Sequence, residues 1–82
     1  MKIPVIRQLF QNSTTEELEA TLAVLESFCE FRGVSEGEID VAGELITNIC
    51  GALEVHAEVN AGATEKDALN AFSQKVMGSI DR

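Results

Sequence analysis

Basic residues are scarce in this sequence. Lysine and arginine number 6 against 14 aspartates and glutamates, giving a formal net charge of −8. The deficit is uneven. Residues 16–65 hold twelve acids and one base, Arg32, while Lys2, Arg7, Lys66, Lys75 and Arg82 sit towards the ends. Such a surface repels phosphate backbones and anionic lipid headgroups, so neither nucleic acid nor a membrane is an expected partner. A basic protein partner stays open, although an acidic surface by itself mostly confers solubility.

Long apolar runs are missing too, and nothing approaches the roughly 20 residues that a membrane span needs. The opening stretch to Phe10 is short for a signal peptide, and Pro4 and Arg7 interrupt it. There are only two cysteines, Cys29 and Cys50, both at apolar helical positions. Two buried free thiols in a reducing compartment are expected from them, and hence a cytoplasmic protein. Tryptophan and tyrosine are absent. The core must then be built from aliphatic side chains and four phenylalanines. Gly33, Gly37 and Gly43 are widely spaced with no Lys-Ser/Thr after them, which excludes a phosphate-binding loop.

What is present is helical. The chain of 82 residues is 45% hydrophobic, enough for one thin-cored domain over residues 1–82 and too apolar for disorder. Pro4 suits the first turn of a short helix in residues 1–12, and an extended arm fits there almost as well. Ser13-Thr14-Thr15-Glu16 reads as a capping box opening a helix over residues 15–32, with Gly33 as its stop. Leu18, Leu22, Leu25 and Cys29 line that helix, and Val24, Phe28 and Phe31 widen its apolar face.

A second box, Ser35-Glu36-Gly37-Glu38, opens a long helix that ends at Asn60-Ala61-Gly62. Its apolar residues are Ile39, Ala42, Leu45, Ile46, Ile49, Cys50, Leu53, His56 and Ala57. Val41, Ala52 and Val59 extend them over about half the cylinder, more than one neighbour covers. Thr64, with Asp67 as its reciprocal partner, caps a last helix lined by Ala68, Leu69, Phe72, Val76 and Ile80. The expected fold class is all-α: a small antiparallel bundle of three main helices plus the N-terminal helix or arm.

No constellation rises to a reaction. His56 has Glu54 and Glu58 two residues away on either side, and such neighbours point apart on a helix. Cys29, Cys50 and His56 lack metal-ligand spacing. No catalytic residue, metal or cofactor is therefore expected, and His56 reads as a boundary residue. Gly43, Thr47 and Gly51 recur every four residues in mid-helix, and Asn48 sits among them. All four are poor helix formers, together costing about 2–3 kcal/mol relative to alanine. The glycine–threonine stripe is expected to admit another helix closely, with a ligand groove as the competing use.

The run Ile39-Asp40-Val41-Ala42-Gly43-Glu44-Leu45-Ile46-Thr47-Asn48-Ile49 resembles the central helix of the YejL-like family of small bacterial helical proteins. Phe72-Ser73-Gln74-Lys75-Val76-Met77-Gly78-Ser79-Ile80 resembles that family's last helix. The chain is also similar to a group of short proteins from Bacteroidetes-type bacteria. The resemblance implies an all-α fold and dimerisation, and brings no catalytic residue with it. His56 and the arm holding Pro4 depart from the family pattern.

The expected function is thus a non-enzymatic structural or protein-interaction module that forms a homodimer. Its seam is expected at Val41, Leu45, Ile49, Ala52 and Leu53, on the over-wide arc of the long helix. Two alternatives compete with it. One is an acyl-carrier-like domain modified at Ser35, although Val34 and Glu36 replace the usual neighbours of a carrier serine. The other is a small metal-binding protein.

Overall fold

A computed structural model describes the backbone of residues 2–80 and the side chains of residues 2–75. It contains four helices: α1 (Ile3–Asn12), α2 (Thr15–Cys29), α3 (Glu36–Asn60) and α4 (Glu65–Ile80). No strand occurs among the described residues, so the fold is all-α. The ends of Val76 and Ile80, expected along α4, lie outside the described side chains.

The helix boundaries follow local chemistry. Pro4 sits in the first turn of α1, which is a helix rather than an extended arm. The box that opens α2 is one residue later than expected. The Thr14 hydroxyl accepts the Glu17 N–H at 3.1 Å, and the Thr14 N–H donates to Glu17 Oε1 at 2.9 Å. Ser13 instead closes α1, its N–H donating to the Leu9 carbonyl. At the other end α2 stops at Cys29, short of Arg32. Gly33 does not stop it through a left-handed backbone, for its φ is not positive. Its role is room: a Cβ there would lie 2.7 Å from Cε2 of Phe31.

Ser35 and Glu38 form the expected reciprocal box at the start of α3. Its end is a full glycine-based stop. The Gly62 N–H donates to the Val59 carbonyl, the Ala63 N–H to the Glu58 carbonyl, and Gly62 takes φ 114°. Thr64 Oγ1 then accepts the Asp67 N–H to open α4.

α3 is central and packs against all three other helices. Two long-range bonds set α1 along its C-terminal half. The Lys2 N–H donates to Asn48 Oδ1 at 3.0 Å, and His56 Nε2 donates to the Ser13 carbonyl at 3.0 Å. The Phe10 ring lies 4.5 Å from the His56 ring at 48°. α1 therefore runs parallel to residues 48–56 of α3. α4 folds back over the same half, and α2 runs antiparallel along α3. The core is Ile6, Leu18, Ile49, Ala52, Val55, Ala68, Leu69 and Phe72.

The buried face of α3 is rotated from the expected one. It comprises Ala42, Asn48, Ile49, Gly51, Ala52 and Val55. Cys50 points the opposite way and is exposed, and Cys29 is only half-buried, so neither is the core thiol expected. Ile49 and Ala52, expected at a seam between copies, are 5% and 0% exposed within one chain, and Leu53 is half-buried against the same core. Ile6 of α1 covers this region, so the helix at the N-terminus uses up the apolar arc there. The glycine–threonine stripe also divides. A Cβ on Gly51 would meet Ile6 Cδ1 at 2.8 Å and Phe72 Cζ at 3.0 Å, whereas one on Gly43 would meet nothing within 4 Å. The Thr47 hydroxyl donates to the Gly43 carbonyl in its own helix. Only Gly51 is a close-packing residue.

The two glycines should thus respond in opposite senses. Gly51→Ala is expected to cost about 1–2 kcal/mol, since overpacking outweighs improved helix propensity. Gly43→Ala should stabilise by about 0.5–1 kcal/mol, because it meets only open space. Urea unfolding of both variants checks the pair, and equal shifts would contradict the assigned packing.

Candidate functional site: an apolar groove between α2 and α3

α3 is 25 residues long, about 37 Å, while α1 has only ten residues, about 15 Å. With α1 and α4 gathered on the C-terminal half of α3, α2 alone covers the N-terminal half. A groove of about 570 Å³ opens there. Leu25 and Phe28 of α2 form one wall, and Val41, Ala42 and Leu45 of α3 the other. Val41 is 62% exposed, Leu45 45% and Phe28 41%. Val24 and Phe28 are one turn apart on α2, as are Val41 and Leu45 on α3, so each helix presents an apolar strip. Val24, Phe31 and Ile39 are exposed as well.

Of the expected seam, Val41 and Leu45 remain available on this face. Phe28 belongs with them, although the sequence reading placed it in the face of α2 and not at a site. The signal was present: the apolar arc of α2 is also wider than one neighbour covers.

Ser35 and Glu38 close one end of the groove. The Ser35 hydroxyl accepts the Glu38 N–H at 3.2 Å, and the Ser35 N–H donates to Glu38 Oε1 at 3.0 Å. The Ser35 backbone N–H, and secondarily its hydroxyl, hold the Glu38 carboxyl below its ordinary value of 4.5. His56 lies elsewhere, tied to the Ser13 carbonyl and Phe10, where it joins α3 to the α1–α2 turn. Glu54 is engaged by Lys75 Nζ at 2.6 Å. Among the described residues no three His, Cys, Asp or Glu side chains are grouped to hold a metal ion. No described helix is long and apolar enough to cross a membrane.

With this geometry in place, comparison with known proteins adds one result. The sequence profile of DUF6952, a family of unknown function, matches residues 1–81. The chain belongs to that family. No curated protein matches, and no solved structure matches. Nothing in the match links the DUF6952 chain to the YejL-like proteins, and that resemblance stays one of sequence pattern.

The cap at the groove's end generates a pH dependence. The Glu38 carboxyl titrates below its unfolded value, so its stabilisation is present above about pH 4.5 and is lost as pH falls through the lowered value. Glu38→Gln should therefore narrow the change in melting temperature across the acidic range. Parallel thermal melts from neutral pH to about pH 3 would test it, and identical pH profiles would contradict it.

Proposed function

We propose that this DUF6952 chain is a non-enzymatic, cytoplasmic module for structural or protein-interaction roles, and that it acts as a homodimer joined through the α2–α3 groove. The observation that carries this reading is the exposed apolar pair Val41 and Leu45 facing Phe28 across the groove. Soluble proteins cover contiguous apolar surface of this kind with a partner.

Overall dimensions support it. The chain exposes 5749 Å², about 900 Å² more than the roughly 4,800 Å² of a compact monomer of its mass. A standard interface buries about 800 Å² on each partner, so one such contact would account for the excess. The radius of gyration is 13.6 Å against about 11.7 Å for a compact domain of this length, and the thinnest dimension is 17 Å. A flat unit of this type gains a thicker core when two copies stack. The acidic charge favours protein over nucleic acid or membrane as any further partner. Two unpaired thiols suit a reducing cytoplasm.

The acyl-carrier alternative has one observation in its favour, that Ser35 stands at the end of an apolar groove. Intact mass of the protein purified from its own cells decides it, through the presence or absence of a prosthetic group on Ser35.

For the dimer, sedimentation equilibrium at micromolar concentration should give twice the chain mass. Val41→Glu and Leu45→Glu should give folded monomers, since both sites are open to solvent in the single chain. Ile49→Glu should instead unfold the chain, because it places a charge in the core. A monomeric mass for the unmutated protein would overturn the reading.

A further inference from the structure

We propose that a second groove, between α1 and α4, binds a small organic anion whose acidic group is held between Arg7 and Lys66. The groove measures about 620 Å³ and lies on the opposite half of α3 from the apolar one. Its size is that of an ordinary small-molecule site. Ile3, Pro4 and Leu69 give it an apolar floor, and Gln8 and Asn70 stand on its walls with the two cations.

What singles this groove out is that two of the few bases line it together. The chain has 6 bases among 14 acids. Lys75, elsewhere on α4, is engaged by a carboxylate, that of Glu54 at 2.6 Å. Arg7 and Lys66 come from opposite ends of the sequence, and the packing of α1 against α4 brings both to one groove. Neither has an ion-pair partner among the described residues. The carboxylate of Glu65, next to Lys66 in sequence, accepts a hydrogen bond from Gln11 Nε2 at 2.6 Å instead.

Two unpaired cations above an apolar floor, with carboxamides on the walls, match one ligand chemistry. The acidic group lies against the guanidinium fork and the ammonium. The ligand body covers Ile3, Pro4 and Leu69, and the amides of Gln8 and Asn70 supply both donors and acceptors to its polar atoms. The net charge of −8 does not prevent this, because charges beyond about 8 Å are largely screened at physiological salt. The acidic group is a carboxylate or a phosphate, which share this chemistry.

Backbone amide shifts in a nuclear magnetic resonance titration test the site. The probes are phenyl phosphate, benzoate and, as a neutral analogue, benzyl alcohol. Saturable shifts are expected around Arg7, Lys66 and Asn70 with at least one of the anions, below about 10 mM, and not with benzyl alcohol. The tighter anion identifies phosphate or carboxylate. Arg7→Ala combined with Lys66→Ala should weaken binding at least about tenfold, and added salt should weaken it too. Both side chains are exposed, so the variant should keep its helical spectrum. Leu45→Glu, on the other groove, should leave binding unchanged, which separates this site from the dimer. No saturable shift with either anion, equal shifts with benzyl alcohol, or full binding by the double variant would each overturn the proposal.

Discussion

Three helices meet at Gly51. Ile6 of α1 and Phe72 of α4 both press on this point of α3, where no side chain stands in the way. Ile6 is fully buried there and Phe72 nearly so. A mid-helix glycine costs about 1 kcal/mol relative to alanine. Burying an isoleucine and a phenylalanine returns about 1.5–3 kcal/mol each, so the crossing is favourable overall. Other features of that half depend on it. With α1 held this close, Lys2 reaches Asn48 and Phe10 reaches His56. Asn48 is buried and polar, and its partner is the N–H of Lys2, the N-cap of α1, a group that the helix itself cannot satisfy.

The caps and the stop at Gly62 made the helix limits readable from sequence, because each is a local exchange between a short side chain and a nearby N–H or carbonyl. The Ser35–Glu38 box and the Thr64 hydroxyl cap on the Asp67 N–H appear where expected; α2 starts at Thr15 as expected, but its box falls one residue later because two hydroxyl residues adjoin and Thr14 takes the cap. The orientation of α3 was not readable in the same way. Reading bulk as burial puts Leu45 and Cys50 inside and leaves Asn48 and Gly51 as oddities. The packing does the reverse, because a helix that approaches closely needs small residues beneath it and a polar side chain to meet its end. Gly51 and Asn48 marked the crossing point. Nothing local says that α1, more than forty residues away, is what crosses there. The α2–α3 groove was half legible for the same reason: Val41 and Leu45 were identified by bulk, but which half of α3 stays uncovered depends on how short α1 is.

α3 thus joins two unlike ends. Around residues 36–47 it presents aliphatic surface in an acidic stretch of chain, covered on one side by α2 alone. Around residues 48–60 it is enclosed, and Arg7 and Lys66 lie on the outside of the helices that enclose it. The segregation of bases to the ends of the sequence becomes a segregation in space, because the terminal helices pack on the same half. An apolar face and a cationic groove can therefore act independently on a molecule this small.

The bond from Lys2 to Asn48 spans 46 residues, and this sets an order on assembly. Sequence neighbours α2 and α3, and α3 and α4, meet across short turns and close at little entropic cost. α1 has no such neighbour to pack on, and a lone helix of ten residues is marginal in water. On the ribosome it precedes α3, and its docking site follows only after a few seconds of further elongation. Until α1 docks, Ile6 and the face of α3 that receives it are both open to chaperones and to neighbouring chains.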